Sequence, residues 1–168
     1  MSLTMHSSSI PAFVRSLNNL SAILQKGADH AAEHEIDPTI LVTARLFPDM
    51  FPLSRQVQIA CDVCKGAAAR ISGVEAPSHE DNEASFKELQ ERIAKTIEFL
   101  ESVPVAAIDG TEDKHVKFQA GTIEIDFTGA TYLSMWALPN LYFHVTTSYN
   151  ILRHNGVELG KIDFVGKP

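Results

Sequence analysis

Between Leu138 and Gly156 the apolar residues Leu138, Leu141, Val145, Tyr149 and Leu152 recur every three or four positions. That is the period of a helix with one buried face. Pro139 stands near its start, where a missing N–H costs least. Asn155-Gly156 stands at its end, where a left-handed cap is favoured. The neighbouring stripe holds Asn140, His144, Thr147 and Ile151. If this stripe also faces inward, three polar groups meet inside a helix bundle.

Three further helices are predicted. Ser7-Ser8-Ser9-Ile10-Pro11 reads as a helix start, followed by Phe13, Leu17, Leu20 and Leu24 at helical spacing to about His34. Ile36-Asp37-Pro38 ends it. Thr39 to Arg45 reads as a single turn or a linker. Leu46-Phe47-Pro48-Asp49-Met50-Phe51-Pro52 reads as a bend with large apolar anchors. Asp49 is the expected cap of the second helix, which carries Leu53, Val57, Ala60, Cys64 and Ile71 inward and stops at Gly73. The third covers about Glu83 to Ser102, with Glu88–Arg92 and Glu91–Lys95 as exposed i,i+4 pairs.

After Pro104 the period changes from 3.6 to 2. Val116 and Phe118 alternate with polar residues, as do Ile123, Ile125 and Phe127. With Ala120-Gly121 as the turn, Phe118 pairs with Ile123 and Val116 with Ile125. The reading is an all-α, antiparallel, up-and-down four-helix bundle in one domain, with a small β-hairpin between the third and fourth helices and a tail from Val157.

Charge excludes some partners. The 168 residues hold 14 basic and 21 acidic side chains, a net charge of −7, without a Lys/Arg cluster. Nucleic acid and anionic membrane surfaces are therefore not expected partners. The first six residues lack the basic and apolar regions of a signal peptide, so a cytoplasmic location is expected.

His144 is the main chemical candidate. A buried imidazole binds a metal, moves a proton, or serves as a core group hydrogen-bonded to a neighbouring helix. His30-Ala31-Ala32-Glu33-His34 has an H-x-x-E-H spelling, but it ends a helix and has no third ligand, so a solvated helix end is the better reading. Cys61-Asp62-Val63-Cys64 spells C-x-x-C in mid-helix. Cys64 fits the core and Cys61 is expected half-exposed, neither poised for redox chemistry.

The run from Leu138 to Val157, with Gly160-Lys161-Ile162-Asp163-Phe164 after it, resembles the C-terminal signature of an uncharacterised family grouped with the DinB/YfiT-like metalloenzymes. Leu46 to Leu53, Gln56-Val57-Gln58 and Phe86 to Ile97 resemble the same family. The resemblance implies an antiparallel four-helix bundle, often dimeric. It also implies a divalent metal, zinc or nickel, held by three histidines, one from the second helix and two from the fourth. His144 matches one of these. Asn140 falls where another belongs, and Gln56 is the polar residue nearest the third. Neutral amide oxygens are poor partners for zinc or nickel beside one imidazole. The expectation is a degenerate metal site and a small-molecule pocket lined by Gln56, Asn140, His144 and Thr147. A thiol-transferase-type metalloenzyme and a ligand-free structural homodimer are the alternatives.

Overall fold

The computed structural model describes residues 3–167; Met1 and Ser2 of the N-terminal stretch and Pro168 of the tail lie outside them. The chain is mostly helical, with one small antiparallel sheet. Helix α1 spans Met5–Glu33, α2 Pro38–Thr43, α3 Leu53–Ser72 and α4 Phe86–Ser102. A short α5, Val105–Ile108, precedes strands β1, His115–Ala120, and β2, Ile123–Thr128. Then α6, Gly129–Tyr132, runs through a π-turn, Leu133–Ala137, into α7, Leu138–His154, and α8, Lys161–Val165, follows.

The four long helices form the core. Helix α1 packs on α4, and to a lesser and equal extent on α7 and α8, while α3 packs mainly on α7 and α4. Phe13, Leu17 and Leu20 of α1, Leu53 and Val57 of α3, Leu89 and Ile93 of α4, and Leu141 and Val145 of α7 are buried between them. Each such side chain contributes about 1.5–3 kcal/mol through the area it removes from water.

Several boundaries differ from the sequence expectation. Helix α1 starts before the serine run: Thr4 accepts from Ser7 N–H and Ser7 reaches back to Thr4, a reciprocal cap that leaves Pro11 inside the helix. Asp49 does not cap α3; Pro52 precedes its first turn with no side-chain cap. The apolar residues of that bend are not anchors, since Phe47 is 64% and Phe51 56% exposed. Helix α4 begins only after Ser85, whose side chain accepts from Glu88 N–H.

The start of α7 also shifts. The chain is already helical from Gly129, and Pro139 cannot donate to the carbonyl four residues back. The π-turn sits just ahead of it, with Leu138 N–H bonded to Leu133 C=O. At the other end the expected cap forms: Gly156 has φ +93, and Val157 N–H reaches Leu152 C=O at 3.1 Å. The tail folds back as α8. Asp163 meets Lys26 at 2.8 Å, and Asn19 donates to Phe164 C=O at 2.9 Å.

The hairpin register is corrected by two residues. Phe118 pairs with Ile125 and Val116 with Phe127, around a Gly121-Thr122 turn. Gly121 supplies the positive φ that the first turn position needs. A slip of two keeps every side chain on its face, so Val116 and Ile125 are still buried. Phe118 packs edge-on against Tyr132, with the Arg70 guanidinium 3.9 Å above its ring.

Candidate functional site

Gln56 lies in the first turn of α3, one turn from the buried Leu53, so its amide points into the helical core. It is 2% exposed. Its Nε2 donates to Phe51 C=O at 3.1 Å, which fixes which way the amide faces. Oε1 is thereby left to meet Nδ1 of His144 at 2.7 Å. An amide oxygen only accepts, so Nδ1 carries the proton. Nε2 of His144 then bears the lone pair, and no hydrogen bond from the described residues reaches it.

Burial, and after it the charge of nearby Arg55, pushes the His144 pKa down to about 4. The imidazole is neutral at physiological pH and 8% exposed. It is an acceptor of fixed tautomer, with the exposed Phe143 ring edge-on at 5.2 Å.

The other two expected pocket residues do not join this pair. Asn140 donates from Nδ2 to Trp136 C=O at 2.7 Å, and Thr147 donates to Phe143 C=O at 2.7 Å. Both bonds run back four residues along the same helix, a competition open to any short polar side chain in a helix. Asn140 is only partly buried.

The donor set does not fit a three-histidine metal centre. Gln56 is engaged at both ends of its amide, and Asn140 is engaged at its nitrogen. No group of three His, Cys, Asp or Glu side chains able to hold a metal ion occurs among the described residues. What His144 does share with a metal-ligating histidine is orientation: an Nδ1–H held by an oxygen, with Nε2 free.

Elsewhere, the ring of His30 in the last turn of α1 lies 4.2 Å from that of His34, the residue that caps the helix, tilted by 31°, and His34 Nδ1 is bonded to His30 C=O. They line a cleft of about 520 Å³ with Glu33, Arg153 and Glu158. Cys61 and Cys64 are both free and fully buried, so the half-exposure expected of Cys61 is corrected. Burial pushes the Cys61 thiol up to about 12 and raises Cys64 as well.

The most highly charged cluster was not foreseen. Arg92 is 3% exposed and belongs to no surface i,i+4 pair. Its Nη1 meets Glu83 at 2.9 Å and Asp81 at 3.0 Å, and its Nη2 meets Asp62 at 2.8 Å. Glu88, its expected partner, caps α4 instead, bonded to Ser85 and to Ala84 N–H. The signal lay in the spacing: Leu89, Arg92, Thr96 and Leu100 form one inward stripe.

A family model described as "Domain of unknown function (DUF1993)" matches residues 5–165. The chain belongs to the DUF1993 family. This DUF1993 chain is also similar to a crystal structure of a DinB family member protein from Shewanella denitrificans. The two are 38% identical, with a TM-score of 0.87 over 97% of this chain and 92% of that one. The resemblance read from the sequence is therefore shown for this DUF1993 chain, family and fold neighbour together. No functionally curated protein matches it.

Proposed function

We propose that this DUF1993 protein is a DinB-type, antiparallel up-and-down four-helix bundle that binds a small organic molecule at His144, in the cytoplasm, without a tightly held metal. The mutual packing of α1, α3, α4 and α7 supports the bundle. The observation that carries the binding function is the His144–Gln56 bond. It sets a neutral imidazole in one tautomer and reserves Nε2 as an acceptor. A bound molecule donates an O–H or N–H to Nε2 and rests its apolar body on the exposed rings of Phe51 and Phe143.

Phenol is the test probe, with anisole as the control that lacks a donor. The expected result is a chemical-shift change at His144 and Gln56 with phenol, absent with anisole and absent in His144→Ala. Equal responses to both probes, or none, overturn the reading.

The exposed aromatics favour a second reading, a homodimer through this face. Phe47, Phe51, Tyr142 and Phe143 are each more than 40% exposed; the Gln56–His144 bond links the two stretches that carry them, since Gln56 holds Phe51 C=O and the Phe143 ring lies against His144. Sedimentation equilibrium of Phe51→Ser/Phe143→Ser against the parent decides it: a dimer converted to monomer supports this reading, and a parent that is monomeric rejects it.

A further inference from the structure

A cleft of about 680 Å³ lies between α4 and the irregular segment 77–83 that leads into it. It shares no lining residue with the His144 group. Among the described residues, two buried side-chain nitrogens lack a hydrogen-bond partner, Arg92 Nε and His79 Nδ1, and both belong to residues that line this cleft. Buried polar atoms are rarely left unpaired, so each calls for a partner, and a single group entering this cleft could serve both.

The chemistry of that partner follows from the surroundings. Arg92 Nε–H can only donate, so its missing partner is an acceptor, and a carbonyl oxygen, with two lone pairs, can serve a second donor as well. Three carboxylates already surround the Arg92 guanidinium, which disfavours a further anion there. Burial, then Lys65 and Arg92, hold His79 below its ordinary pKa, so it is neutral and can donate from Nδ1. The lining carries five glutamates against Arg92 and Lys95. Glu91, Lys95, Glu98 and Ser102 follow one another along one face of α4, over about 16 Å from Glu91 to Ser102 at the helical rise.

We propose that the cleft binds an elongated aliphatic amine that carries one neutral oxygen acceptor, such as an N-acylated diamine. The oxygen sits between Arg92 Nε and His79 Nδ1, and the ammonium sits on Glu98, with Glu91 joining as it leaves its exposed pair with Lys87. Both orphan nitrogens are closed to bulk water, so residues 77–79 shift to admit the oxygen while Glu80 to Glu83 stay bound to Arg92, Arg55 and Gln58.

Calorimetric titration at low salt tests the proposal, with N-acetylputrescine as probe and n-heptylamine, of the same length and the same single charge, as the compound without an oxygen. Saturable one-to-one binding of N-acetylputrescine is expected, with n-heptylamine weaker. Glu91→Gln/Glu98→Gln, both exposed and safe for folding, weakens the acetylated probe by about tenfold, the worth of two exposed ion pairs. His79→Ala removes the preference for the acetylated probe. No saturable binding at millimolar concentration overturns the site, as does binding indifferent to Glu91→Gln/Glu98→Gln. Equal affinity for the two probes overturns the oxygen pocket and shows that the orphan nitrogens bind only water.

Discussion

Nδ1 of His144 lies 2.7 Å from Oε1 of Gln56, joining the middle of α7 to the first turn of α3. Because Phe51 C=O holds the other end of the amide, this contact determines where the imidazole keeps its proton. Replacing Gln56 by Ala leaves a buried Nδ1–H without an acceptor. The expected loss is about 1–3 kcal/mol of stability, read by urea denaturation. His144→Ala should cost a similar amount by orphaning the amide oxygen. An unchanged midpoint in both variants would mean that the bond is not formed.

Gln56→Glu should act through charge. A carboxylate against Nδ1 favours the imidazolium, so the His144 pKa should rise from about 4 toward or beyond its ordinary value. An NMR titration of the His144 ring reads this directly, and a pKa that stays low would mean that the side chain at position 56 does not meet Nδ1.

Stability should depend on pH through the same residue. The folded-state pKa of about 4 lies below the ordinary 6.5. The unfolded chain therefore takes up the proton first as pH falls. His144 favours folding fully above pH 6.5, and this advantage is lost as pH falls toward 4. The loss is on the order of 3 kcal/mol, from the size of that shift. His144→Gln should flatten this part of the stability curve. Asp81 and Glu83, both held below their ordinary values, add a further loss at lower pH.

Much of this arrangement is legible in the residues. Leu141, Val145 and Leu152 mark the buried face of α7, and Asn155-Gly156 marks its end. His144 falls on the stripe beside that face, and Gln56 falls one turn from Leu53. What the pattern does not reveal is whether Asn140 and Thr147 turn toward that pair or back onto their own helix. Both options keep the same spacing, and local carbonyls win. Arg92 was read as a surface partner of Glu88 because their i,i+4 spacing is favourable; the acidic residues that bury it come from a loop and from another helix, which no local pattern connects. The hairpin register escaped for a simpler reason. A slip of two residues preserves the alternation from which strands are read.

Arg92 should be the most sensitive charged residue. Its side chain is 2% exposed and its partner Glu83 10%, while Asp62 and Asp81 are far more open and contribute little. Arg92→Ala strands Glu83 and should cost about 2–4 kcal/mol. Arg92→Lys keeps the charge without the planar fork and should recover only part of it. Thermal denaturation of the two variants side by side checks the order.

The cysteines should be inert. With both thiols buried and their ionisation suppressed, 5,5′-dithiobis(2-nitrobenzoate) should label neither in the native protein and both in denaturant. Rapid native labelling of Cys61 would contradict its burial.

Gly129 should tolerate no side chain. A Cβ there would stand 2.1 Å from Thr111 C=O, at the junction of β2 and α6. Gly129→Ala should destabilise by about 1–3 kcal/mol through forced backbone movement. A neutral effect in a melting experiment would place the 111–112 segment elsewhere.

The central claim is that His144 is a neutral imidazole, protonated at Nδ1 and free of tightly bound metal. Long-range ¹H–¹⁵N correlation of the histidine rings in metal-free protein, repeated across pH and after adding zinc, tests it most directly. The account predicts a protonated Nδ1, an unprotonated Nε2, no titration between pH 8 and about 5, and no stoichiometric zinc shift. A proton on Nε2, titration near the ordinary histidine pKa, or a one-to-one zinc complex at His144 would contradict it.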